Sequence, residues 1–240
     1  SLPSVIFIHG AACDHSVWAL VARYFAHRGR NALAIDLPGH GRSEGPPLDS
    51  VGAMADWVTE AAGALSLPVA AWVGHSLGGL IALDAAARRP ESVRALGLLS
   101  VSAPMGVNDE YLGLADARDH KAISLLNDWA VSRQSHMGGN RMPGVWLIGA
   151  NTRLTEQGAA VLATDLRAAR DYGDGGNAAQ KVRCPTLLLL GANDQMTPFR
   201  QTEALARAIP GARVAALKNC GHWPMGERPD ETVDNLATLV

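Results

Sequence analysis

The chain has 240 residues, of which 48% are hydrophobic and 18% charged, and its formal net charge is −2. This composition is typical of a globular protein, and the length allows one domain with a sizeable core. No cluster of Lys and Arg indicates binding to nucleic acid, and no apolar run reaches the roughly 18 residues that a membrane span needs. We therefore expect a small-molecule partner, no nucleic acid and no membrane, in a monomer or a homodimer.

Three cysteines are present, Cys13, Cys184 and Cys220, and they show no CxxC spacing. An odd number without that spacing predicts neither a disulfide framework nor a metal site. Reduced thiols and the lack of a secretory leader pattern favour a cytoplasmic location. The sequence does not begin with Met, which leaves the completeness of its N-terminus open.

Six short apolar segments are predicted to be strands of one sheet. Their apolarity is nearly continuous rather than alternating, which is typical of parallel strands with both faces covered. In chain order they are 4–9, 31–36, 69–74, 93–100, 186–191 and 212–217.

Helical patterns alternate with these strands. Cap signals such as Asp14 and Ser50 precede two of them, and Gly29 follows one. The alternation predicts an α/β fold with a doubly wound, mostly parallel sheet and right-handed crossovers. The helices are predicted over 17–28, 51–65, 77–89, 200–208 and 230–240.

The interval 103–181 contains no convincing strand but has amphipathic stretches at 119–135 and 155–172. It is too long for an unstructured loop in a compact domain. We predict a helical cap over 103–181, inserted into a core formed by 1–102 and 182–240.

The segment WVGHSLGG (72–79) ends a predicted strand and begins a predicted helix. A serine on such a sharp turn is lifted clear of the sheet, and the next backbone N–H is free at a helix N-terminus. Ser76 is therefore a candidate nucleophile, with a glycine-rich turn carrying an incidental serine as the alternative. A serine hydroxyl needs a base to take its proton.

Two further strands end in loops that carry the groups such a serine requires. Asp194 follows the strand at 186–191, and His222 follows the strand at 212–217. Parallel strands bring their carboxyl ends to one edge, so Ser76, Asp194 and His222 are predicted to form a catalytic triad there. Taken singly, Asp194 could instead form a turn or cap a helix, and His222 could be a structural loop histidine.

The strand at 4–9 ends in a turn of small residues that could aim the amide of Ala11 at the same position as the amide of Leu77. Two such donors would form an oxyanion hole for a tetrahedral intermediate.

Five segments in this order resemble the α/β-hydrolase fold superfamily, and within it the lidded serine esterases: HGAACDHSVW, DLPGHGRS, GHSLGG, GANDQMTP and GHWPMGERPD. The resemblance implies Ser76 as nucleophile, His222 as base and Asp194 as its partner. It also implies oxyanion donors at Ala11 and Leu77, a cap at 103–181, no metal and no cofactor.

Aromatic and methionine side chains could line an apolar acyl pocket, although they could equally be plain core: Met105, Trp129, Met142, Trp146 and Trp223. We expect hydrolysis of a small-to-medium hydrophobic carboxylic ester through an acyl-enzyme. The same triad serves lactone, thioester and carbon–carbon hydrolysis and perhydrolysis, and a ligand-binding receptor on the same scaffold is a further alternative.

Overall fold

The computed structural model describes residues 2–136 and 146–240. All six predicted strands form: β1 (Ser4–Ile8), β2 (Asn31–Ile35), β3 (Ala70–His75), β4 (Val93–Leu99), β5 (Thr186–Gly191) and β6 (Arg213–Leu217). They make one sheet of order β2-β1-β3-β4-β5-β6, in which each pair of neighbours is parallel. The predicted fold class is confirmed.

Successive strand residues pack on opposite faces of the sheet, as the geometry of a strand requires. In β1, Ile6 and Ile8 join one hydrophobic cluster, whereas Val5 and Phe7 join a second one. Helices cover both clusters, so the strands are buried on both sides and read as continuous apolar runs.

The first cluster is covered by α2 (Val51–Ala64), α3 (Leu77–Arg88), α9 (Gly175–Lys181) and α10 (Phe199–Ala208), and the second by α1 (Ala19–His27), α11 (Pro224–Glu227) and α12 (Pro229–Ala237). Local caps agree with the predicted starts: Ser50 Oγ accepts from the amide of Ala53 before α2, and Asp14 starts a 3₁₀ turn (His15–Trp18) that leads into α1. No helix of the described residues is long and apolar enough to cross a membrane.

The predicted cap interval holds α4 (Asp109–Asp116), α5 (His120–Ala130), α6 (Arg133–His136), α7 (Leu147–Gln157) and α8 (Leu162–Asp171), followed by α9. Its described part contains no strand. Helices α4, α5 and α8 share a third hydrophobic cluster, which also includes Ala12 from the core. Helix α9 packs against α3 instead, so the last helix of the interval lies on the sheet layer. The division into core and cap stays a prediction.

Both long amphipathic stretches of the cap are divided into two helices. The stretch 119–135 breaks after Ala130, and the stretch 155–172 breaks at Gly158. A Cβ built at Gly158 would lie 2.1 Å from the carbonyl oxygen of Ala12, so the backbone there touches the loop after β1. A tertiary contact, rather than the hydrophobic period, therefore decides where α7 ends.

Candidate active site

The candidate site lies beyond the carboxyl ends of β1 and β3. In the strand order, β2 lies on one side of β1, and β4, β5 and β6 follow β3 on the other. At such a switch point the connections leave to opposite faces and open a crevice. A cavity of about 290 Å³ occupies this position, and Ala11, Ser76, Leu77 and His222 all line it.

The turn that carries Ser76 is very tight. Ser76 has φ 52° and ψ −121°, between the end of β3 and the start of α3. A Cβ at Gly74 would lie 2.1 Å from the carbonyl oxygen of Gly78, and a Cβ at Gly78 would lie 2.3 Å from that of Ile8. Both glycines are needed because backbone segments approach each other where side chains would stand. The positive φ of a non-glycine residue typically costs about 1–3 kcal/mol, which the surrounding packing must offset.

Asp194 and His222 are directly hydrogen-bonded. His222 Nδ1 lies 2.9 Å from Asp194 Oδ2, and both side chains are buried. Thr197 donates to Asp194 from its hydroxyl (2.7 Å) and its amide (2.9 Å). Burial raises the pKa of Asp194, but the charge of His222 and the hydrogen bonds from His222 and Thr197 outweigh it and lower the pKa to about 2. Asp194 is therefore ionised at neutral pH and can stabilise a His222 cation.

Ser76 and His222 are brought to the same cavity but are not hydrogen-bonded to each other. The Ser76 hydroxyl donates to Met105 Sδ at 3.9 Å. His222 Nε2 is buried and has no hydrogen-bond partner in the part of the chain that the structure describes. Catalytic hydrogen bonds are often loose until substrate binds, so this arrangement is compatible with a serine–histidine pair.

The two predicted oxyanion donors, Ala11 and Leu77, both line the cavity. Leu77 is the first residue of α3, so its N–H has no partner within the helix. No hydrogen bond between described residues has the amide of Ala11 or Leu77 as its donor. Both amides are therefore available to a ligand oxygen.

Three of the five predicted pocket residues, Met105, Trp129 and Trp223, line the cavity. Trp146 does not: its side chain lies over Gly149 at the start of α7, and the residue is 71% exposed. An exposed ring on the helix N-terminus is held away from the cavity, so the structure gives Trp146 no place in this pocket. Met142 lies outside the described residues.

His75, which precedes Ser76, is hydrogen-bonded to the backbone of His222. Its Nε2 donates to the carbonyl oxygen of His222 at 2.7 Å. Burial and then the nearby charge of His222 lower the pKa of His75 to about 3, so its ring is neutral at pH 7. His75 thus braces the histidine loop, defined as residues 218–223, and the amide of His222 binds the carbonyl oxygen of Ala130 in the cap interval at 2.7 Å.

Glu227 is a functional candidate that the sequence reading missed. It is fully buried and accepts four hydrogen bonds. One comes from the amide of Gly221 in the histidine loop at 2.7 Å. The others come from Ser132 (amide, 3.0 Å; hydroxyl, 2.5 Å) and Ser135 (hydroxyl, 2.8 Å) in the cap interval. Its place in the segment GHWPMGERPD, five residues after His222, was the only available signal.

Asp165 of α8 makes a similar link to the loop after β1, which we call the β1 loop (residues 9–13). Its Oδ2 accepts from the amide of Ala12 at 2.8 Å and pairs with His40 Nε2 at 2.9 Å. Both side chains are almost completely buried. Ala12 has φ 56°, so the hydrogen bond that its amide donates to Asp165 stabilises a strained residue directly after Ala11. Asp165 is not among the residues that the sequence singles out.

One further cluster has metal-ligand chemistry, formed by Asp14, His15 and Asp36. Its carboxylates are already hydrogen-bonded to the backbone: Asp36 accepts from the amides of His15 and Arg42, and Asp14 accepts from the amide of Ser16. These three residues do not line the cavity. We assign no metal to them.

Comparison with known proteins identifies the family of this chain. The model of the alpha/beta hydrolase family matches residues 5–235. The chain belongs to the α/β hydrolase family. The fold class and the prediction of a hydrolytic enzyme are thereby confirmed.

Individual relatives are more distant. The chain is 32% identical to the pimeloyl-[acyl-carrier protein] methyl ester esterase of Chromobacterium violaceum, over 98% of this chain and 93% of the relative. Among solved structures it resembles Est816, described as an N-acyl homoserine lactone degrading enzyme, with TM-score 0.84 and 25% identity over 100% of this chain and 94% of that chain. A thermophilic esterase matches with TM-score 0.81 and 26% identity, covering 98% and 88% of the two chains.

Proposed function

We propose that the protein is a serine hydrolase that cleaves small-to-medium, uncharged hydrophobic carboxylic esters through an acyl-enzyme. The observation that carries the proposal is the buried His222–Asp194 hydrogen bond in a cavity shared with Ser76, whose backbone is held at positive φ. The named activity of the 32% identical relative, an esterase, supports the same class of reaction.

In the proposed reaction the Ser76 hydroxyl exchanges its hydrogen bond to Met105 Sδ for one to His222 Nε2. Its oxygen attacks the ester carbonyl carbon while its proton passes to Nε2. The amides of Ala11 and Leu77 bind the oxyanion of the tetrahedral intermediate. The carbon–oxygen bond to the alcohol then breaks, and the alkoxide takes the proton from Nε2.

The second half-reaction uses the same groups. Water gives a proton to His222 Nε2 and attacks the acyl carbon, and the intermediate collapses to release the acid. The proton returns from Nε2 to Ser76. Asp194 stays ionised throughout and stabilises the His222 cation in both halves, so no step requires a cofactor.

The lining of the cavity supports the substrate class. Within the described residues it contains no Lys, Arg, Asp or Glu, and most of its side chains are apolar, among them Met105, Leu126, Trp129 and Met196. A charged acyl group would lose its hydration there without a partner, which is costly. The volume lies near the lower end of the range for small-molecule sites.

The proposal includes the predicted cap, residues 103–181, as the roof of this cavity. Tyr111 of α4, Leu126 of α5 and Leu166 of α8 all line it, which supports that division. It also includes a cytoplasmic location, which the three free cysteines favour. A monomer or a homodimer is compatible with the reaction.

Initial rates on p-nitrophenyl esters of increasing acyl length test the mechanism, with wild type compared with Ser76→Ala. We expect the variant to lose about 10³- to 10⁶-fold in kcat, because the nucleophile is absent. Ser100→Ala is the matched control: Ser100 is buried, follows β4 and also has φ 52°, but it does not line the cavity. Wild-type turnover in Ser76→Ala would falsify the mechanism.

A lactone is the second substrate class that one observation favours. Est816, with 25% identity and TM-score 0.84, is described as degrading an N-acyl homoserine lactone. A lactone is a cyclic ester, and the same groups would open its ring. Acid release from N-acyl homoserine lactones and from open-chain esters of equal size, followed with a pH indicator, distinguishes the two: a lactone preference of tenfold or more in kcat/KM would favour the lactonase.

A further inference from the structure

A small polar cluster interrupts the apolar roof of the cavity. It consists of Asn127 on α5 and Asn151 and Thr155 on α7, and all three residues are buried. Asn151 and Thr155 line the cavity. Buried polar groups between cap helices are costly unless they are hydrogen-bonded, so each group must find a partner.

Most of this capacity is used within the cluster. Asn127 Nδ2 donates to the carbonyl oxygen of Ile123 at 2.8 Å and to Thr155 Oγ1 at 3.3 Å. Asn127 Oδ1 accepts from Asn151 Nδ2. The Thr155 hydroxyl donates to the backbone oxygen of Asn151 at 2.9 Å.

These bonds fix how the Asn151 amide is oriented. Because Asn127 directs its NH₂ group at a backbone carbonyl, its oxygen must face Asn151. Asn151 must then present its own NH₂ group to that oxygen, which leaves Asn151 Oδ1 on the other side. In the described part of the chain Oδ1 receives no hydrogen bond, although the residue is only 5% exposed. Because Asn151 lines the cavity, this acceptor is left for a ligand there.

We propose that Asn151 is a substrate-recognition residue that accepts a hydrogen bond from a hydroxyl or amide N–H group of the substrate. This inference rests on the proposed function and narrows its substrate class to neutral esters or lactones that carry such a donor in the part facing the cap. A purely alkyl substrate leaves Asn151 Oδ1 without a partner, and a missing hydrogen bond of this kind reduces kcat/KM by about 10- to 100-fold.

Ethyl esters of unbranched acids and of the ω-hydroxy acids of the same lengths test this proposal, with acid release followed by a pH indicator. At the chain length that reaches Asn151, wild type should prefer the hydroxy ester by about tenfold or more in kcat/KM. Asn151→Leu should lose that preference while still hydrolysing the alkyl esters. Thr152→Val is the matched control: Thr152 follows Asn151 on α7 but does not line the cavity, so the preference should stay.

Binding to Ser76→Ala provides a readout that does not depend on turnover. Ethyl 6-hydroxyhexanoate should raise the Tm of this variant more than ethyl hexanoate does, and the added Asn151→Leu substitution should make the two shifts equal. Equal shifts before that substitution, or a preference that survives it, would overturn the role of Asn151. If no ester is hydrolysed but the two Tm shifts differ, the proposed reaction is overturned, whereas the recognition role of Asn151 is supported.

Discussion

Two buried carboxylates connect the loops of the proposed active site to the cap interval. One of them lies outside the interval and the other lies within it. Glu227 lies outside the interval 103–181 and accepts hydrogen bonds from Ser132 and Ser135 within it, while Asp165 lies within the interval and accepts one from Ala12 outside it. Both residues have 0% relative exposure. Glu227 therefore connects the histidine loop to the cap interval, and Asp165 connects the β1 loop to it.

The partners of the two carboxylates differ in kind. Glu227 is surrounded by uncharged donors, two amides and two hydroxyls. Asp165 pairs with His40, a group that can gain or lose a charge near neutral pH. The comparison therefore separates a carboxylate that is bound by uncharged donors from a carboxylate that pairs with a titratable histidine.

The largest effect is expected for Glu227→Ala. The substitution leaves four donors without their acceptor, and each buried donor that is left unsatisfied costs about 1–3 kcal/mol. Displacement of the histidine loop should also reduce kcat by about 10²-fold. Urea unfolding and initial rates on p-nitrophenyl butyrate measure both quantities.

Two further variants control that experiment. Glu44→Ala removes an exposed glutamate and should change stability by less than about 0.5 kcal/mol. Glu227→Gln keeps the shape of the side chain, so we expect it to fold even if the alanine variant does not. The NH₂ group of its amide faces at least one of the four donors and cannot accept that hydrogen bond. Full stability and full kcat in Glu227→Gln would show that Glu227 does not position the histidine loop.

Asp165→Asn should have the second-largest effect. Ala12 and His40 both bind Asp165 Oδ2, so the oxygen of the amide can still accept both hydrogen bonds, but the charge is lost, at a cost of about 1.5–3 kcal/mol. Because Ala12 follows the proposed donor Ala11, we expect kcat to fall more than KM rises. Asp116→Asn, at an exposed aspartate paired with Arg167, should cost no more than about 1 kcal/mol. A change in KM alone would argue against a role in positioning the oxyanion donor.

The core could be predicted from the sequence because its signals are local. Each strand is a short apolar run, and the carboxyl ends of parallel strands meet at one edge. Ser76, Asp194 and His222 could therefore be predicted to share one site from the sequence alone. Gly74 and Gly78 were informative for the same reason: the backbone approaches that require them lie within one turn and its neighbouring strand.

The links to the cap could not be predicted, since they join residues far apart in sequence. Asp165 lies 153 residues from Ala12, and Glu227 lies 95 residues from Ser132. A buried Asp or Glu looks like a surface residue in a sequence unless its donors are known. The break at Gly158 has the same origin, because the contact of Gly158 with Ala12 overrides the local pattern.

The smallest expected effect is a pH dependence that distinguishes the two carboxylates. Burial lowers the pKa of His40, but the hydrogen bond and the charge of Asp165 outweigh it and raise the pKa above 6.5. The ring of His9 also faces His40, at 4.9 Å, and burial, followed by the charge of His40, lowers the pKa of His9 to about 4, so His9 stays neutral near pH 7.

Since the folded-state pKa of His40 is raised, its ion pair contributes fully below the unfolded value of 6.5 and loses that contribution as pH rises through the folded value. The difference in unfolding free energy between wild type and Asp165→Asn should therefore be largest near pH 5.5 and shrink above neutral pH. The corresponding difference for Glu227→Gln should not follow the titration of His40, because none of the groups that donate to Glu227 is a histidine. Urea unfolding in steps from pH 5.5 to 9 measures both, and parallel curves for the two variants would mean that His40 carries no charge in the folded protein.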